Sequence, residues 1–499
     1  MRVEPYPNGP LESFLNEQDE TPGTPEPNLN DKRAPLEVNN ADLPSTATSV
    51  IEMLSKRTAD LYYRDGVVTV ARDPLNATYQ AHGLTVHGVS RELHKTHRPF
   101  KWRKEGDKYS KAFITLPERV ALMALDDRNA WSGLSPLDGF CSGPMLHEDG
   151  TIVTAQGYDP KSRMYCYAVP SVRVPERPTD EQAKQALLTL RNFFRTFVFA
   201  DAVRVQERFV GGDGKLYVVD VVDVNTPPGQ DESAALHALF TAISRPNLWL
   251  APACVVTAPG LSGAGAGKGL LVRVICAIAF GIRPTAITAG HDGAELDKRI
   301  ASSLMEAHQV VMIDNLNGRT FKSDTLESAI TERPAMLRPL GTSRLRRVAV
   351  SSFIALTGNA LRVSEDMARR VLRVDLDAGM EDPETRRFKG DILKDAFANR
   401  TDLLEAALII WRWGRLSPDI KPGLPMGSFD QWCAWVRDPL INLGCADPAQ
   451  RIAQTKMHDP RRAETGELFS KWNSLHGDKA MGAADLHQDV KDILDPAGR

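Results

Sequence analysis

Between Ala253 and Ala279 the chain reads ACVVTAPGLSGAGAGKGLLVRVICAIA, and few segments constrain a fold so tightly. The β-branched run Val255–Thr257 predicts a buried strand. A turn of small residues follows, then Lys268, then an apolar helix. Strand, glycine loop and helix in that order are the context that a phosphate-binding loop requires. Gly263, Gly265 and Gly267 can turn their N–H groups inward. The helix N-terminus adds partial positive charge. Lys268 supplies a point charge for the β- and γ-phosphates. The segment departs twice from G-x-x-x-x-G-K-[ST]. Ser262 stands at the first glycine, and Gly269 follows the lysine, which removes the hydroxyl expected to bind Mg²⁺. Water, or the region between Thr257 and Ser262, would then complete the metal's shell. The plain alternative is a flexible Gly/Ala linker, but linkers seldom join a buried strand to an apolar helix with a lysine at the junction.

Downstream, HQVVMIDNLN carries four apolar residues into Asp314 and Asn315. This predicts a buried parallel strand with a carboxylate at its C-terminal edge. Asp314 is expected to hold Mg²⁺ through water. Many motor ATPases place a glutamate next, to orient the attacking water; here the residue is Asn315. Either Asn315 positions the water, or Glu306 or Glu332 polarises it. A third strand, VAVSSFIALTGNA, ends in Thr357, Gly358 and Asn359, a polar tip that could meet the γ-phosphate or the water. A simple turn has the same composition.

Two arginine groups complete the pattern. VSEDMARRVLRVDLD sets Asp366, Arg369 and Arg370 on a short helix before a strand. Donated across a subunit interface, such an arginine neutralises transition-state charge; otherwise it is a surface ion pair. ITERPAMLRPLGTSRLRRVAV reads as a basic hairpin. Its Arg338, Arg344, Arg346 and Arg347 are candidate contacts to a nucleic-acid backbone, and Arg333 lies beside them. A second stretch, HKTHRPFKWRKEGDKYSK, interleaves Phe100, Trp102 and Tyr109 with cations, which suits single strands and also ordinary exposed loops.

The 499 residues carry 61 basic and 64 acidic side chains, so nucleic-acid binding must rest on local patches rather than overall charge. Cys141, Cys166, Cys254, Cys276, Cys433 and Cys445 show no C-x-x-C spacing and read as reduced core residues. No apolar run is long enough for a signal peptide or a membrane span, so a cytoplasmic protein is expected, without a membrane partner. The expected organisation is a disordered tail (1–45), a strand-rich α+β domain (46–175) and a helical linker region with a hairpin insertion (176–247). An ATPase core (248–416) and a small helical or winged-helix-like module (417–499) complete it. Within the α+β domain, GVVTVARD, LTVHGV and KAFITL read as strands.

From about residue 60 onward the chain resembles primase–helicase ATPases of prophages and bacterial integrative elements, related to superfamily 3 and AAA+ helicases. The matching pieces are DGFCSGPMLHEDGTIVTAQGYD, APGLSGAGAGKGLL, AELDKRI, VVMIDNLN, LRPLGTSRL, LTGNALRVSEDMARR and ALIIWRWGR. The resemblance implies an α/β P-loop NTPase fold and a hexameric ring, using ATP and Mg²⁺. Lys268 and Asp314 would sit at the nucleotide, Asn359 would be the sensor, and Arg369 or Arg370 the finger. It implies a DNA helicase or translocase, acting on single-stranded or forked DNA in replication of a mobile element, with a primase or replication partner. The family often carries a primase module before this region; residues 1–59 show no such constellation of carboxylates, and primase activity is not expected of them. The alternatives are a replication-initiation scaffold or helicase loader with slow or no hydrolysis, to which Gly269 and Asn315 point, and a P-loop kinase of small molecules.

Overall fold

The computed structural model describes residues 31–56, 61–74, 77–127, 129–260, 262–290, 292–318, 320–338, 345–457 and 460–494. The chain divides into two compact units, one of Met1–Leu54 with Thr85–Asp126, the other of Ser55–Leu84 with Asp127–Arg499.

The larger unit is organised by a five-stranded parallel sheet. Its strands are β1 (Ala253–Ala258), β2 (Ala286–Thr288), β3 (Val310–Asp314), β4 (Phe353–Asn359) and β5 (Val371–Asp375), in the spatial order β2-β3-β4-β1-β5. A parallel sheet is covered on both faces, so its strands are apolar throughout rather than alternating. Every residue of β1 is buried, as are the first four of β3 and the first six of β4. Helix α1 (Lys268–Phe280) leaves β1 and packs back on β1 and β4. Its apolar character all round fits a helix enclosed by the sheet and by helices Gln230–Ser244, Ile392–Ala398 and Arg400–Leu416. Helix α2 (Gly293–Met305) covers β2 and β3. All six cysteines are free and buried.

Helix Gln230–Ser244 encloses a titratable group. His237 is fully buried; its Nδ1 lies 2.6 Å from the Ser233 carbonyl, and among the described residues its Nε2 has no partner. Burial pushes its pKa from 6.5 down to about 4. The unfolded chain therefore takes up this proton before the folded one does. Stability from the neutral ring is complete above pH 6.5 and lost as pH falls toward 4. The loss is expected to reach about 3 kcal/mol. Urea unfolding at about pH 7.5 and about pH 5 is expected to show about 2 kcal/mol of it, the rest falling below pH 5, and His237→Gln is expected to flatten this part of the pH slope.

Residues 55–84 join the larger unit through Arg64. Its buried guanidinium donates to the carbonyls of Leu137, Asp138, Leu304, Met305 and Ala349 at 2.6–3.2 Å. Five acceptors compensate for the cost of burying this charge. The expected hairpin insertion is present, as Arg204–Val210 paired with Leu216–Val222.

In the smaller unit, strand Ala34–Glu37 runs parallel to His97–Glu105, which forms a hairpin with Lys108–Phe113. Helices Leu43–Ser55, Val86–His94 and Glu118–Asp126 complete it.

Four expectations need correction. Ala34–Glu37 is a strand, not tail, because it adds to the edge of His97–Glu105. LTVHGV is not a strand: Thr85 accepts from the Gly88 N–H, and this cap starts a helix over the β-branched text. The span 46–175 is not one continuous domain, since 55–84 and 127–175 belong to the larger unit and 85–126 to the smaller. Among the described residues beyond β5 there are helices and no strand, so the last module carries no wing there. The edge strand β2 was not foreseen at all.

Candidate nucleotide-binding site

Parallel sheets bind ligands beyond the carboxyl ends of their strands, where the strand order reverses. Here the chain runs from β1 out to β2, returns through β3 and β4 to β1, and then crosses to β5. The reversal lies at β1, whose carboxyl end leads into the glycine loop.

The loop folds tightly on itself. Gly265 has φ +72° and Gly267 φ +94°, values that a side chain would strain. At Gly263 a Cβ would stand 2.1 Å from the Pro259 carbonyl oxygen and 2.8 Å from Asn359 Oδ1. Ser262 lies in the turn just before it. At Gly265 a Cβ would meet the Glu384 backbone nitrogen at 2.7 Å, so the turn Pro383–Thr385 lies against the loop. Lys268 Nζ donates to the Gly263 carbonyl at 2.5 Å. Burial lowers the pKa of its ammonium, and the negative charge of Asp314 pulls the other way. Lys268 and Asp314 therefore share one electrostatic environment.

Asp314 ends β3. One of its oxygens accepts the Thr357 hydroxyl and the Asn315 N–H, the latter at 2.8 Å. Asn315 is left-handed (φ +70°), and its side chain accepts from Asn317 Nδ2 at 3.2 Å. Asn317 Oδ1 in turn accepts the Asn359 N–H at 2.7 Å. Asn359 Oδ1 is buried against Gly263 and, among the described residues, has no hydrogen-bond partner. The structure thus joins Gly263, Lys268, Asp314, Asn315 and Asn359 at one edge of the sheet. Glu306 stands at the opposite end of β3, hydrogen-bonded to Ser302, with His308 at 3.0 Å. Glu332 accepts from Ser328. Glu306 is thus remote from the tip of β3.

Sequence reasoning missed three participants. Thr357 was noted as part of a polar tip, but its grip on Asp314 joins residues 43 apart. Glu384 bears on the loop from a distant segment that shows no motif. Arg273 fills the space beside Gly269, where a Cβ would lie 2.6 Å from its Nη1. The glycine after the lysine was the available signal.

The two candidate finger arginines lie elsewhere. Arg369 pairs with Asp366, both exposed, and Arg370 pairs with Glu327 at 3.4 Å. The Arg370 carbonyl accepts the N–H of Ala253, the first residue of β1, so both arginines flank the amino edge of the sheet. The loop lies a strand length away, roughly 16–20 Å at 3.3 Å per residue.

The basic hairpin pairs Ala335–Leu337 with Arg346–Val348. Arg346 donates to the Asp65 carbonyl at 2.8 Å, while Arg347 and Arg338 are exposed. Arg344 lies outside the described residues. Arg333 is committed to structure, paired with Asp138 at 2.8 Å and lying over the Trp249 ring. In the smaller unit the second basic stretch is also a hairpin. Register puts Phe100, Trp102 and Lys104 on one face with Phe113, Lys111 and Tyr109. Trp102 and Tyr109 are 49% and 66% exposed, and Lys111 Nζ lies over the Phe100 and Trp102 rings.

Among the described residues no group of three or more His, Cys, Asp or Glu side chains could hold a metal, and no helix is long and apolar enough to cross a membrane. No protein-family model and no curated protein matches the chain. Among solved structures, it is similar to the apo C-terminal region of NrS-1, with 11% identity and a TM-score of 0.35, covering 89% of this chain and 85% of that one. A second structure, of NrS-1 residues 305–718, gives 11% identity and a TM-score of 0.27 over 73% and 70%. JCV helicase gives 11% identity and a TM-score of 0.21, over 44% of this chain and 60% of that one.

Proposed function

We propose that this chain is a P-loop ATPase of the AAA+/superfamily 3 type that drives a helicase or translocase ring on DNA in the replication of a mobile element. The observation that carries the reading is the convergence of Lys268, Asp314 and the unpartnered Asn359 Oδ1 at the loop-bearing edge of the sheet.

The residues fit a nucleotide. The loop from Ser262 to Gly267 offers backbone N–H groups, and α1 adds its positive end. The Lys268 ammonium rests on the Gly263 carbonyl and is poised to exchange it for a phosphate oxygen. Asp314, oriented by Thr357 and the Asn315 N–H, is the carboxylate that would hold Mg²⁺ through water. The metal supplies charge neutralisation at the phosphates when bound. Asn359 Oδ1 is an acceptor in want of a donor, and an attacking water would supply one. Arg369 or Arg370 would reach this site only from a neighbouring copy. Arg338, Arg346 and Arg347 on one hairpin, and the aromatic and cationic face around Trp102 and Tyr109, suit a phosphate backbone and unstacked bases.

Gly269 and Asn315 favour one other reading, a nucleotide-binding scaffold or helicase loader with little turnover, because a metal-binding hydroxyl and a water-polarising carboxylate are both replaced. Phosphate release by the purified chain, with and without single-stranded DNA, separates the two. The motor reading expects stimulation by DNA and a fall of about a hundredfold or more in Asp314→Asn. Background turnover together with tight ATP binding selects the scaffold. No ATP binding by the wild type ends both.

A further inference from the structure

We propose that Arg273 is a second phosphate-binding cation of the glycine loop, standing where a hydroxyl side chain at position 269 would serve magnesium, so that ATP binding persists without divalent metal. The proposal rests on the nucleotide reading above.

Position 269 is the second residue of α1. Glycine weakens helices, so its presence in that turn asks for a reason. A Cβ there would stand 2.6 Å from Arg273 Nη1 and 3.7 Å from Met312 Cε. Helical side chains lean toward the N-terminus, and residues four apart share a face, so Arg273 lies back over Gly269 toward the loop. Met312 is two residues before Asp314 on β3, and residues two apart share a strand face. The guanidinium therefore occupies the space between the start of α1 and the face of β3 that carries Asp314. Glycine at 269 leaves it that space.

Its charge is uncompensated. Among the described residues Arg273 makes no ion pair or hydrogen bond, and its Nε is buried without a partner. A surface arginine would satisfy such groups with water. This one is half-buried in the first turns of a helix whose N-terminal end carries partial positive charge. The Arg273 guanidinium and the helix dipole both favour an anion at this end of α1. A polyphosphate satisfies both, and a guanidinium can hold two of its oxygens at once. Arg273 then supplies part of the neutralisation that a metal on a loop hydroxyl would supply. The proposal concerns binding; turnover still calls on Asp314.

The test is the affinity of the purified full chain for a fluorescent ATP analogue, titrated in magnesium and again in EDTA, with thermal melting as the check on folding. Wild type is expected to bind in EDTA within about threefold of its affinity in magnesium. A charge-assisted contact is worth about 1.5–3 kcal/mol, so Arg273→Ala should bind roughly tenfold or more weakly in EDTA. Gly269→Ser keeps the arginine but crowds it out of its place, and it should show the same dependence on metal. The proposal is overturned if Arg273→Ala and Gly269→Ser match wild type in EDTA. It is also overturned if wild type loses tenfold or more on removal of magnesium. A wild type that does not bind even in magnesium sinks the nucleotide reading itself, a result distinct from either of these.

Discussion

Lys268→Ala is expected to bind ATP roughly ten to a hundred times more weakly than wild type, and to hydrolyse it at least a hundredfold more slowly. Among the described residues the ammonium makes one hydrogen bond, to the Gly263 carbonyl, and the side chain is half-buried. Burial has already lowered its pKa, so the charged form lacks solvation that a phosphate would restore. The variant should therefore fold normally: one loop hydrogen bond is lost and no ion pair is broken. Lys268→Arg is expected to fail as well, because a planar fork must fit where the carbonyl now lies 2.5 Å from the amine. Calorimetric titration with ATP and a thermal melt decide the point. Unchanged affinity in Lys268→Ala with an unchanged melt would remove the loop from the nucleotide site.

The second large effect concerns the arginines at the opposite edge of the sheet. If one of them is supplied to a neighbour's site, its removal should cost about 10³–10⁵ in turnover and leave ATP affinity nearly intact. Arg369 is the better candidate on geometry. Among the described residues its partner is the exposed Asp366, an ion pair worth at most about 1 kcal/mol, whereas Arg370 is half-buried against Glu327. The decisive version mixes two inactive chains. Lys268→Ala keeps its arginines and Arg369→Ala keeps its loop, so mixed rings contain some complete sites and should recover measurable turnover. Recovery requires donation between subunits. If Arg369→Ala is fully active and Arg370→Ala is not, the assignment passes to Arg370. If both are active, neither arginine serves the reaction.

Much of this architecture was legible locally. The loop announced itself because strand, glycine turn, lysine and apolar helix are contiguous, and each obeys a short-range rule. The buried run ending in Asp314 was legible for the same reason: a parallel strand writes its burial into consecutive residues. Elsewhere short-range rules misled. Thr85 as a cap outweighed the β-branched residues of LTVHGV, and the three-residue strand β2 is too short to leave a pattern. Arg333 and Arg347 look alike in the same basic segment, yet one is neutralised by Asp138 and the other faces water.

Read residue by residue, the chain puts chemistry on offer: an amide-rich turn, an ammonium, a carboxylate at a strand end, and arginines in two groups. Which of these meet is settled by packing. The Thr357 hydroxyl reaches Asp314 and Asn359 settles on Gly263 because β4 lies between β3 and β1, an order that no residue near either strand encodes. Arg273 takes up the volume that Gly269 vacates because both lie on one face of a single helix, with Met312 of β3 closing the space beside them. Local patterns record the preferences of the backbone, whereas contacts across a sheet follow from how its strands are ordered, which is a property of the whole core.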